Sequence, residues 1–153
     1  MWSKTSHTVV GACGGLLGGF LLAVSIRAQT STPVATPGVA QQVLLNAPLA
    51  QFPGKQVTVF TGEFAPGART PLHRHPATEL LFVLEGEGVM NIPGRKSHEL
   101  TPGRVVLVEP GAGKDSFIHE AVNLSESDRM KTLVIVIHDQ GTPPALPLND
   151  QDQ

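Results

Sequence analysis

The residues best placed to do chemistry lie between Gly67 and Gly86, in GARTPLHRHPATELLFVLEG. His73 and His75 are separated by one residue, and Glu79 follows shortly after. In an extended chain alternate side chains share a face. His73 and His75 therefore point the same way, and Arg74 points the other. Pro71 and Pro76 bracket the pair; each removes a backbone donor and fixes φ, which argues against a helix. Glu79 opens the apolar run Leu80-Leu81-Phe82-Val83-Leu84, which reads as a buried strand. Two imidazoles on one strand and a carboxylate at the start of the next can converge on one point. A divalent transition metal asks for that donor set, neutral imidazole nitrogens and a carboxylate oxygen at ~2.0–2.2 Å.

The elements that must carry these side chains are short apolar runs punctuated by Gly and Pro, the pattern of an all-β domain. Strands are expected at Gln42–Ala47, from Val57 to about Phe64, through the two histidines, and at Leu80–Glu85. Val89–Ile92 and Ser97–Leu100 flank Pro93-Gly94, a hairpin signal. Val105–Val108, Phe117–Asn123 and Lys131–His138 complete about nine strands, a number that suits a sandwich or small barrel.

Gly67, His73, His75, Glu79 and Gly86 at these spacings resemble the first conserved motif of the cupin superfamily. A second stretch, Gly103 to Asn123, resembles the second motif: Gly103, then Pro110-Gly111, then His119 and Asn123, with a longer segment before His119 than the family's usual pattern. The resemblance covers roughly Val43 to His138 and is to the small, single-domain, quercetin-dioxygenase-like cupins. It implies an all-β double-stranded β-helix, a jelly-roll barrel, with the site inside. It also implies that His73, His75, Glu79 and His119 are ligands of a divalent transition metal (Fe, Mn, Ni, Cu or Zn), with two coordination positions left for water or a small organic molecule. In that reading Glu79 doubles as the catalytic base. Asn123 is structural, Gly67, Gly86, Gly103 and Gly111 are turn residues, and the loop Ala112–Ser116 is a lid at the barrel mouth. From strand parity, Phe117 and Ala121 line the pocket with His119, while Ile118, Glu120 and Val122 face away.

The other histidines read more simply. His7 lies near the start, His98 sits among charges in RKSHEL and reads as solvated, and His138 beside Asp139 reads as an exposed cap. A lone histidine on a strand is more simply a satisfied core residue. Three with Glu79, in register with two motifs, favour ligation. Glu85, Glu87 and Glu99 read as solvent-facing.

The chain has 153 residues and a formal charge of -2. Residues 1–28 form a separate object: Lys4, then an uncharged run from Thr8 to Ile26, then Arg27-Ala28. They read as an export signal cleaved after Ala28, or else as an uncleaved membrane anchor, since the run nears the ~18–20 residues that span a bilayer. Without Lys4 and Arg27 the 11 basic residues fall to 9 against 13 acidic, and nothing resembles a nucleic-acid interface. Cys13 is the only cysteine, so no disulfide forms within the chain. Residues 29–41 read as a linker, 42–140 as the barrel domain and 141–153 as a Pro-rich tail that lies across the domain or hangs free. The expected setting is extracytoplasmic, periplasmic or secreted, or anchored to a membrane.

Three functions follow. The first is metal-dependent, dioxygenase-like chemistry on a small molecule. The second is a module that binds or senses a metal or ligand without turnover. The third, sugar isomerisation or epimerisation, ranks low: sugar epimerases of this resemblance use a tyrosine, and the chain has none. Finally, LLFVL and KTLVIVIH are apolar on both strand faces. One face fills the barrel and the other needs a cover, so a homodimer is expected.

Overall fold

A computed structural model describes residues 36–109 and 118–148. The leader, most of the linker, Pro110 to Phe117 with the candidate lid and Gly111, and residues 149–153 lie outside the described residues.

Among the described residues ten strands run in chain order: β1 (Val39–Pro48), β2 (Lys55–Phe64), β3 (His73–Arg74), β4 (Thr78–Glu85), β5 (Gly88–Asn91), β6 (His98–Leu100), β7 (Val105–Val108), β8 (Ile118–Asn123), β9 (Met130–Asp139) and β10 (Leu146–Pro147). They form two five-stranded sheets, β1-β2-β9-β4-β7 and β10-β3-β8-β5-β6, all paired antiparallel. Apart from the β1–β2 and β5–β6 hairpins, each connection crosses from one sheet to the other, as a jelly roll requires. The expected all-β jelly-roll barrel is what the chain adopts.

Alternation along the strands defines the inside. On β4, Glu79, Leu81 and Val83 are buried; on β9, Met130, Thr132, Val134, Val136 and His138 are. One end of the interior is apolar and packed, with Phe64, Leu81, Val83, Met90, Leu100 and Met130 in a single cluster. Toward the other end the interior turns polar, through Thr58, His75, Glu79, His119 and His138. The apolar end carries the stability of the domain and leaves the polar end free for chemistry.

Two details of sequence make the crossovers work. Gly86 leaves β4 with φ of 75°, and a Cβ there would meet the Arg129 carbonyl oxygen at 2.3 Å. Only glycine fits both the left-handed backbone and that approach. Asn123 is fully buried and its amide donates to the carbonyls of Phe64 (3.3 Å), Ala65 (3.0 Å) and Asp128 (2.8 Å), while its oxygen accepts from the Ser125 N–H at 3.0 Å. It ties three loop carbonyls at the closed end and takes no part in the polar end, so its structural reading holds.

Several boundaries differ from expectation. β1 begins at Val39, inside the expected linker, because its pairing with β2 extends to Val39 opposite Phe64. The histidine strand is shorter than expected: β3 ends at Arg74, and His75 follows it. The Pro-rich tail contributes β10, which pairs with β3 as Leu146 opposite Arg74 and Pro147 opposite His73. An edge strand needs donors on one side only, so proline is tolerated there.

Candidate metal centre

Three strands deliver the site. β3 and β8 are neighbours, and their register sets His73 directly opposite His119. Glu79 comes from the other sheet, where it stands between Val108 and Val136 on the flanking strands. His75, just past β3, turns inward to the same point. The buried fractions are nearly complete: His75 is 3 %, Glu79 2 % and His119 2 % exposed, while His73 is half-buried.

The donor atoms converge. His73 Nε2 lies 3.0 Å from His75 Nε2. Glu79 Oε2 lies 3.0 Å from His75 Nε2 and 3.6 Å from His119 Nε2. Ligand atoms of the three histidines all fall within 4.8 Å of one another, somewhat wider than the ~4 Å that ligand distances of ~2.0–2.2 Å suggest. The rings of His75 and His119 stack at 16° with centroids 5.2 Å apart, and His73 stands edge-on to both.

The far side of two rings decides what the near side is. His75 Nδ1 lies 2.6 Å from the Pro144 carbonyl, and His73 Nδ1 lies 2.8 Å from the Pro71 carbonyl. A carbonyl only accepts, so each Nδ1 carries the proton and, in the neutral ring, each Nε2 presents a lone pair. Two imidazole lone pairs and the Glu79 carboxylate thus face one small volume. With the His75 ring neutral and its Nε2 unprotonated, buried Glu79 Oε2 receives no hydrogen bond. Acceptors gathered in this way are unfavourable unless a cation lies among them. The donor set therefore fits a divalent metal ion.

Without a metal, a proton is the available cation. Burial alone depresses the His75 imidazole. The hydrogen bond and charge of Glu79, with the Pro144 carbonyl, outweigh that and hold it above the usual histidine value. For Glu79 burial pushes the carboxyl up, but the His75 hydrogen bond and the charges of the three histidines win, and the net direction is down. His73 goes the other way, lowered by burial first and then by repulsion from His75. The metal-free site thus favours the charged forms of His75 and Glu79 and disfavours a proton on His73.

The remaining expectations divide. Ala121 shares the inward face with His119, as parity requires, while Glu120 turns out to meet Asn91 Nδ2 at 3.0 Å and Arg69 at 3.7 Å. Val122, expected to face away from the pocket, is buried as well, beside the bridge it forms with Arg69. His98, Glu85, Glu87 and Glu99 are exposed. His138 is not an exposed cap. It is 1 % exposed, points into the polar end of the barrel, and lies 2.8 Å from Thr58 Oγ1. Its parity with Thr132, Val134 and Val136 was legible; which face of that doubly apolar strand turns inward was not.

Comparison with known proteins agrees with the geometry. A family model described as "Cupin domain" matches residues 60–136, a span that begins within β2 and ends within β9. Auxin-binding protein T85 of Nicotiana tabacum is 31 % identical over 87 residues, 54 % of this chain and 46 % of that protein. The chain thus spans about half the length of the curated relatives it matches. Among solved structures, a cupin 2 domain-containing protein from Halorhodospira halophila superposes with a TM-score of 0.57 at 24 % identity, over 75 % of this chain and 73 % of that one. The polyketide cyclase RemF from Streptomyces resistomycificus gives 0.55 at 18 % identity, over 76 % and 77 %. With the jelly-roll topology and the motif residues gathered at one end of the barrel, the chain belongs to the cupin family as a small, single-domain member.

Proposed function

We propose that this chain is a metal-dependent cupin that takes a small organic acid into the polar end of its barrel, with His73, His75, Glu79 and His119 as the metal ligands. The observation that carries the proposal is the pair of Nδ1–H bonds to proline carbonyls, which leave the Nε2 lone pairs of His73 and His75 3.0 Å apart, with the Glu79 carboxylate 3.0 Å from His75 Nε2. A bound divalent ion of this class supplies Lewis acidity and open positions for an oxygen ligand. The chain's own residues do the rest. Val108 and Val136 flank Glu79 and keep water from its carboxylate, and the proline carbonyls hold the imidazoles in the coordinating tautomer.

The curated relatives are named for binding auxin, which supports ligand capture without turnover. Turnover is the second reading; it rests on Glu79, whose carboxylate lies 3.0 Å from His75 Nε2 and would act as the base if a substrate displaced it from the metal. The test is titration of the zinc-loaded protein with arylacetic acids, followed by calorimetry. Binding that requires metal supports the proposal. Binding of equal strength after chelation contradicts it.

The assembly reading has its own support. The outer face of the larger sheet carries one unbroken aliphatic row: Leu45, Val59, Ile135, Leu80 and Leu107 stand side by side across all five strands. The row on one side runs Gln42, Thr61, Leu133, Phe82 and Val105, polar on β1 and β2 and apolar on the other three strands, and the row on the other side runs Ala47, Val57, Ile137 and Thr78. Leu45 is 48 % and Leu107 56 % exposed. Five strands at ~4.8 Å and three side-chain rows at ~7 Å give a face on the order of 500 Å². That is more than half of the ~800 Å² a standard interface takes from each partner. The row at one margin, Glu63, Lys131 and Glu85, is charged, with Lys131 paired to Glu63 at 3.0 Å within the chain, and bounds the apolar face. A second copy of this chain is the occupant we propose. Light scattering at micromolar concentration should give a dimer that Leu80→Glu with Leu107→Glu dissolves; a monomeric parent overturns it.

Export, or anchoring by residues 1–28, is likewise a proposal, resting on the uncharged run between Lys4 and Arg27. Mature protein beginning at Gln29 in the extracytoplasmic fraction would support export. Intact Met1 on protein that resists carbonate washing would support the anchor, and intact Met1 in the cytosol would overturn both.

A further inference from the structure

The C-terminal segment after β9 is more than a tail. It leaves β9 at Asp139 through a turn pinned on several sides. Lys55 Nζ holds the Asp139 carboxylate at 2.6 Å, the Gln140 N–H donates to the Gly54 carbonyl at 2.9 Å, and the Gln140 side chain donates to the Lys55 carbonyl at 3.1 Å. Gly141 then takes φ of 77°. The Thr142 hydroxyl donates to the Asp139 carbonyl at 2.7 Å, which leaves its oxygen to accept from His138 Nδ1 at 3.4 Å. Pro143 and Pro144 follow, each with φ fixed by its ring, so little backbone freedom is lost in holding them. Beyond them β10 adds to the edge of the smaller sheet against β3, the strand that carries His73.

Between those two anchorages the Pro144 carbonyl meets His75 Nδ1 at 2.6 Å. The outward nitrogen of His75 is held by a segment far away in sequence, whereas that of His73 is held by Pro71, two residues before it. A proline offers no N–H, so at this position the segment presents an acceptor and no competing donor. Orientation of a ligating imidazole by such an outer partner is commonly worth 10–100-fold in metal affinity.

We infer that the segment Gly141–Pro147 is a positioning element of the metal centre: it locks His75 in the Nδ1–H tautomer through the Pro144 carbonyl, and His138 acts as the buried post that holds the strap at Thr142. The inference rests on the proposed metal site for its effect on affinity, but its hydrogen bond can be tested with no metal present.

Two variants of the full domain serve. One ends the chain after Gly141. The other is Pro143→Gly with Pro144→Gly, which keeps the whole segment and loosens it. In metal-free parent protein, nitrogen-15 NMR should show slowly exchanging imidazole N–H protons from His73 and His75, beside the one His138 donates to Thr142, since each Nδ1–H is present in both the neutral and the charged ring. Truncation should abolish the His75 signal and leave that of His73. Cobalt affinity by visible absorption should fall 10–100-fold on truncation and several-fold in the double variant. A purely structural strap would lower the melting temperature while leaving both readouts unchanged, and that result overturns the inference. Loss of the His75 N–H in a protein whose parent binds no cobalt would instead uphold the strap and sink the metal reading. If the truncated chain fails to fold, the double variant decides by the same two signals.

Discussion

Replacing Glu79 by Gln keeps the shape of the side chain and removes its charge, and the structure says what this does to the metal-free protein. Glu79 is 2 % exposed and its neighbours in register are Val108 and Val136. Its carboxylate lies 3.0 Å from His75 Nε2. His75 is raised and Glu79 lowered from their ordinary values of 6.5 and 4.5. A raised histidine contributes stability that is complete below its unfolded pKa and is lost as pH rises through the folded one. A lowered carboxylate contributes stability that is complete above its unfolded pKa and is lost as pH falls through the folded one. The pair therefore stabilises fully between about pH 4.5 and 6.5 and fades on the alkaline side. Breaking a buried ion pair by removing one partner costs ~3–5 kcal/mol. In Glu79→Gln, His75 can escape most of that by losing its proton, at a growing cost as the pH falls. Urea denaturation in chelator should thus find the variant ~3 kcal/mol less stable at pH 5.5 and within ~1 kcal/mol of the parent at pH 9. A difference independent of pH, or largest at pH 9, would refute the account of the pair.

Metal binding should carry the same proton. Because the metal displaces the His75 proton, affinity should fall about tenfold per pH unit once the pH drops below the folded His75 value, as read by competition with a chelator of known affinity. Asn123→Ala should cost ~2–4 kcal/mol in denaturation, since it strands the carbonyls of Phe64, Ala65 and Asp128 in the closed end; metal affinity of the folded fraction should not change.

Much of this was legible in the chain. The alternation of His73 with His75 and the carboxylate at the head of LLFVL located the site, because strand parity and proline placement are local properties. His119 was legible only through its resemblance to a motif. Its partnership with His73 is a matter of strand register between residues distant in sequence, which no local pattern encodes. His138 was misread because both faces of β9 are apolar, so parity grouped it with Val134 and Val136 without saying that their face is the inner one. Pro144 was invisible for a different reason: it acts through its backbone carbonyl, and a backbone group has no signature in side-chain chemistry. The tail was read as lying across the domain or hanging free; β10 takes the first course, at a sheet edge that tolerates Pro147.

The central claim is that three imidazoles and Glu79 hold one divalent metal ion. It is tested most directly by metal content. Protein purified without a histidine tag, loaded and then dialysed against metal-free buffer, is analysed by mass spectrometry beside His75→Ala, His119→Ala and His98→Ala. The account expects about one metal ion per chain in the parent and in His98→Ala, and about one-tenth of that or less in the two site variants, all four retaining the β-sheet circular dichroism of the parent. A folded parent that retains no metal, or site variants that retain as much as the parent, would contradict it.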